Sequence, residues 1–143
     1  MKSIETKIGR VIVARLMPDE DLIDAIKEIV RKYNIKAGLI NVIGALKKVT
    51  IGFFDLKTKE YNFKTFEEDV ELISCMGNIA YKDEEPIIHL HVSVGKDDFS
   101  IIGGHLSQPS IISVTGEVYV YEIGQKLNRS TDPQFNLSLL ELQ

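Results

Sequence analysis

Apolar and polar residues alternate along most of this chain, which predicts β-strands with one helical interruption. Over residues 8–16, Ile8, Arg10, Ile12, Ala14 and Leu16 fall on one side and Val11, Val13 and Arg15 on the other, a strand with both faces partly covered. Pro18-Asp19-Glu20-Asp21 supplies a turn, a capping oxygen and acids for a first helical turn. Leu22, Ile23, Ala25, Ile26, Ile29, Val30 and Tyr33 then recur at helical spacing. They predict one amphipathic helix over 20–33, stopped at Asn34. Beyond Ala37 the period returns to two, with strands expected at 38–44, 49–54, 61–66, 70–80, 87–94, 100–105 and 111–121. Gly, Asp and Lys clusters separate them as hairpin turns require. Residues 128–133 read as a loop and 137–142 as a closing strand. The predicted fold class is α+β: a mostly antiparallel sheet with one main packed helix, forming a single domain over residues 1–143.

Composition narrows the function. A net charge of −4 and a pI near 5.4 give no basic face for autonomous DNA binding. A single cysteine, Cys75, excludes an internal disulfide, suits a reducing cytoplasm, and reads as a buried, inert thiol within an apolar run. The first residues lack the apolar run of a signal peptide, and no segment is apolar enough for a membrane span, so a cytoplasmic location is expected.

All three histidines fall between positions 89 and 105. Side chains alternate across a strand, so His89, His91 and Ser93 share one face while Ile88, Leu90, Val92 and Val94 form an apolar core face. With a three-residue loop after Gly95, His89 is expected opposite His105 and His91 opposite Gly103, whose missing side chain leaves space beside the ring. Any loop of the same parity keeps His105 on that face. Three neutral imidazoles converging there match a zinc site with an open fourth position. The competing assignment is polar surface or subunit-contact residues on a half-exposed sheet face.

The passages Gly77-Asn78-Ile79-Ala80, Pro86-Ile87-Ile88-His89-Leu90-His91-Val92-Ser93 and Gly103-Gly104-His105-Leu106 resemble the prokaryotic branch of the plant- and prokaryote-conserved (PPC) domain. Arg15 with Asp19-Glu20-Asp21-Leu22, the stretch from Gly44 to Asp55, and Ser113-Val114-Thr115-Gly116-Glu117-Val118 extend the resemblance over about residues 5–140. It implies an α+β fold with a large antiparallel sheet, a homotrimer, and a metal site at His89, His91 and His105. In land plants the domain follows AT-hooks in nuclear DNA-binding proteins and mediates assembly, so a DNA-associated regulator is implied by analogy. This chain has no Arg-Gly-Arg-Pro core and is acidic, which removes the visible device for gripping a minor groove.

Two readings of function follow: a trimeric binding and assembly module with a three-histidine metal site and a small-ligand or protein partner, or a hydrolase-type zinc enzyme using metal-bound water. Arg15 and Arg129 are candidates for binding an anion or carboxylate, with a structural ion pair as the alternative. Gly103 and Gly104 are candidates for close approach of a ligand, against tight packing or a bulge. No adjacent general base can be assigned from sequence; Glu117 and Glu122 are candidates, although charged strand residues commonly just face solvent. Phe53, Phe54, Tyr61, Phe63 and Phe66 are expected to pack in the core or an interface.

Overall fold

The computed structural model describes residues 1–142. Its element order is β1 (Ile8–Leu16), α1 (Leu22–Lys32), β2 (Gly38–Asp55), β3 (Glu60–Phe66), β4 (Val70–Lys82), β5 (Glu85–Gly95), β6 (Ile101–Ile123), β7 (Asn128–Asp132) and β8 (Leu137–Glu141). The helix starts two residues later than the expected 20–33 and ends at Lys32, with Asp21 as its cap. The Asp21 carboxylate accepts from the backbone N–H groups of Ile23 and Asp24, satisfying two first-turn donors that lack helical partners. The same carboxylate accepts from the Ser110 N–H, which ties the start of α1 to β6. The apolar face of α1 is buried through Leu22, Ile23, Ala25, Ile26, Ile29 and Val30.

The strands form one sheet that closes on itself. β2 pairs with β6, β6 with β5, and β5 with β4, while β4 pairs back onto β2, all antiparallel. β1 lies along β6, and β3 extends the far half of β2. Two pairs of expected strands are each continuous here. Segments 38–44 and 49–54 are halves of β2, joined through a bulge at Gly44 (φ 151°). Segments 100–105 and 111–121 are halves of β6. Each long strand serves different neighbours along its length, so polar residues interrupt its pattern without ending it.

The tail corrects an expectation. Residues 128–132 form β7, paired antiparallel with β8 and clipped by one parallel bridge to Tyr81 of β4. The Asp132 carboxylate accepts from the N–H groups of Gln134 and Phe135, making the turn whose polar residues read as a loop in sequence.

Cross-strand register defines the outer surface. One row runs Val13, Tyr119, Asn41, Met76, His91, His105, Gly52 and Phe63; the next runs Val11, Tyr121, Leu39, Asn78 and His89. Leu90, Val92, Val94, Val118 and Val120 alternate with these positions and are buried. The outer apolar residues Val11, Val13, Leu39 and Met76 are exposed, so β1 is covered on one face only, not partly on both.

Candidate metal centre

His89 and His91 come from β5 and His105 from β6, and strand parity turns all three away from the core. The register differs from expectation by two residues. His91 faces His105, and Ser93 faces Gly103. The hairpin closes through Lys96–Ser100, where Lys96 N–H donates to the Ser100 carbonyl and Phe99 N–H to that of Lys96. Asp98 accepts from the Ser100 N–H and hydroxyl, which stabilises the longer turn. A shift of two preserves facing, so the cluster survives.

The ring centroids lie 5.2 Å apart for His89–His91, 5.2 Å for His89–His105 and 5.5 Å for His91–His105. One ligand nitrogen from each ring lies within 4.8 Å of the others, close enough for small side-chain rotations to bring them to the ~2.0–2.1 Å zinc–imidazole distance. Nδ1 of His105 is buried without a hydrogen-bond partner among the described residues, as expected of a nitrogen awaiting an electrophile. Burial drives the His89 pKa down to about 4, with Arg129 and then the other two imidazoles adding to the shift. Burial also lowers the pKa of His105, ahead of the effects of His91 and Arg129. Both rings are therefore held in the neutral form that ligates metals. Among the described residues no carboxylate or thiolate joins the three imidazoles.

The surroundings include residues that sequence did not single out for the site. Tyr61 of β3 lies over His105 at a centroid distance of 4.7 Å. It gets there because Gly52, opposite His105, has no side chain: a Cβ at Gly52 would lie 2.7 Å from the Phe63 ring and 3.1 Å from that of Tyr61. Asn78 stands beside His89 across β4–β5. Its amide oxygen accepts from Nη2 of Arg129 at 2.7 Å, and Nη1 of Arg129 donates to the Ser138 carbonyl at 2.6 Å. Period-two spacing with Met76 could have placed Asn78 on the outer face; local sequence carries no signal that Tyr61 reaches a histidine.

The other expected site residues separate into two groups. Arg129 is brought to the centre: Nη2 lies 3.2 Å from Nδ1 of His89, and only 8% of the residue is exposed. Gly103 and Gly104 line a depression with His91, Met76 and Ser93. A Cβ at Gly103 would sit 2.4 Å from the Val92 carbonyl oxygen, so tight strand packing alone requires this glycine. Arg15 is not brought in. It is exposed on β1 opposite Glu117, toward the other end of β6 from His105. Glu122 accepts from Arg10 at 2.6 Å, and neither glutamate joins the histidine group.

A family model for the Plants and Prokaryotes Conserved (PCC) domain matches residues 3–124. A metal-containing protein from Archaeoglobus fulgidus is 36% identical, with 99% of each chain covered and a TM-score of 0.91. A plant- and prokaryote-conserved protein from Pyrococcus horikoshii is 34% identical, covering 100% of this chain and 99% of its own, at a TM-score of 0.90. A protein from Bacteroides thetaiotaomicron with a provisional DNA-binding description is 29% identical over 96% of this chain and 97% of its own, at a TM-score of 0.89. Among curated sequences, two Synechococcus bifunctional GlmU proteins match at 26% and 24% identity over 87% and 90% of this chain. The chain spans only 19% and 20% of their lengths.

Proposed function

This chain belongs to the Plants and Prokaryotes Conserved (PCC) domain family, and from that premise we propose that it is a metal-binding assembly module built on His89, His91 and His105. The carrying observation is the convergence of three imidazoles on one outer face, with Nδ1 of His105 buried and unpartnered. An all-nitrogen donor set favours a borderline transition metal, with zinc the preferred ion. Bound there, the metal would supply Lewis acidity at an open coordination position. The metal-containing Archaeoglobus protein, at 36% identity over nearly the whole chain, supports the same reading.

The module is proposed to be a cytoplasmic homotrimer. Support for assembly comes from exposed Val11, Val13, Leu39 and Met76, which share the outer face with the histidines. No helix among the described residues is long and apolar enough to cross a membrane. A DNA-associated role rests on likeness to the Bacteroides protein alone and runs against the net charge of −4. The hydrolase alternative has lost its expected bases, because neither Glu117 nor Glu122 joins the histidine group.

Metal analysis of protein stripped with chelator and reloaded with zinc tests the reading. Stoichiometric zinc is expected in the wild type and its loss in the His89→Ala, His91→Ala double variant. Equal retention in both, or none in the reloaded wild type, overturns the three-histidine centre.

A further inference from the structure

Arg129 enters the site from β7, beyond the residues the family model matches. Its guanidinium can only donate, so in the metal-free chain Nδ1 of His89 accepts in their 3.2 Å contact; a neutral His89 that ligates a metal has no lone pair left for this bond, and metal binding releases the Nη2 donor. A fixed cation thus stands beside the nitrogen cluster. Nε of Arg129 is buried with no acceptor within reach. With a divalent metal on three neutral imidazoles, the centre would hold the metal's charge and the guanidinium's, and no carboxylate of the described residues joins the cluster to offset them. Two cations this close with no carboxylate to offset them favour an anion between or beside them. Next to them is a cavity of about 220 Å³ lined by His89, His105 and Arg129 on its polar side, and by Ile87, Leu137 and Tyr61 among its apolar walls.

We infer that the metal position and Arg129 together form a receptor for a small carboxylate bearing a short aliphatic group. The carboxylate completes the metal's coordination and takes the free donor capacity of Arg129, while the aliphatic part lies against Ile87 and Leu137. The unpartnered Nε and the Nη2 donor released from His89 match the two oxygens of a carboxylate, whereas Nη1 stays on the Ser138 carbonyl and leaves too few donors for phosphate. The inference rests on the metal centre proposed above.

Cobalt(II) separates the two claims, because its visible bands report both occupancy and change of ligand. Cobalt-loaded protein is titrated with acetate, isobutyrate, the neutral isobutyramide and inorganic phosphate. Saturable band shifts are expected with both acids, tighter with isobutyrate, and none with the amide. Arg129→Lys and Arg129→Met, examined at saturating cobalt, should still show the cobalt bands yet bind isobutyrate about ten-fold more weakly. Since Arg129 also holds Ser138 and Asn78, Leu137→Phe provides a second variant: it should weaken isobutyrate several-fold and spare acetate. Cobalt bands that no acid moves, that respond equally to acid and amide, or that shift with phosphate in preference to both acids overturn the carboxylate receptor and leave the metal centre standing. Unchanged isobutyrate affinity in folded Arg129 variants, or in Leu137→Phe, overturns it too. Absence of cobalt bands from the wild type overturns the metal centre and the receptor with it.

Discussion

His89 combines the features that make the centre sensitive to acid. Its ordinary pKa is 6.5, and burial beside Arg129 pushes it to about 4 in the folded chain. The folded state therefore disfavours the imidazolium, and protonation favours unfolding. The stabilising contribution of neutral His89 is complete above the unfolded pKa and drains away as pH falls from about 6.5 toward about 4. His105 shifts in the same direction and adds to the trend. Gln at position 89 stays neutral and can still accept from Arg129. In chelator, His89→Gln should lose less melting temperature than the wild type between about pH 7.5 and about pH 5. Parallel losses in the two proteins would show that His89 is not held neutral by the fold. Protons and metal compete for the same nitrogens of the folded chain, so zinc retention should hold at about pH 6 and decline as pH falls toward about 4.

At the scale of elements, the histidines meet because β5 and β6 approach closely. Gly103 permits that approach, with the Val92 carbonyl in the space a Cβ would need. Gly103→Ala must push the strands apart near His91 and His105, and overpacking of this kind costs about 1–3 kcal/mol. Denaturant unfolding should show that loss together with weaker zinc binding. A stability change below about 0.5 kcal/mol would mean the hairpin absorbs the methyl group elsewhere. This is also where the sequence spoke clearly and where it stopped. Strand parity put His89 and His91 outside and Leu90 and Val92 inside, and the structure agrees. Parity is a local property that survives any even slip of register. The pairing itself depends on how Lys96–Ser100 folds, and the Asp98–Ser100 bonds that set the turn had no unique signature among polar loop residues. A capping carboxylate within residues 18–21 was legible for the same local reason, although not that Asp21 supplies it. Strand β7 was not, because it forms by pairing with β8 and by Arg129 reaching Asn78, contacts far apart in sequence. In sequence Tyr61 reads as a packing residue, and it reaches His105 only because β2 lies between β3 and β6 and carries Gly52 there.

At the scale of the whole molecule, the outer face poses the problem of what covers it. Val13 is 61% and Met76 60% exposed, and register places them in the row that runs on through His91 and His105. Burying such a side chain against another copy is worth about 1.5–3 kcal/mol, whereas burying an unpaired carboxylate there costs several. If the proposed trimer uses this face, light scattering should report roughly three chains for the wild type and smaller species for Val13→Glu and Met76→Glu, with the far-ultraviolet circular dichroism of the β-sheet unchanged. Full-size particles from both variants would show that assembly uses another surface. The same variants reveal who owns the metal. All three imidazoles and Arg129 belong to one chain, and the cluster forms without a neighbour. Dissociated Val13→Glu should accordingly keep its zinc. If zinc leaves as the particle falls apart, a second chain must complete the coordination, and the carboxylate assigned to the open position would compete with a group from that neighbour.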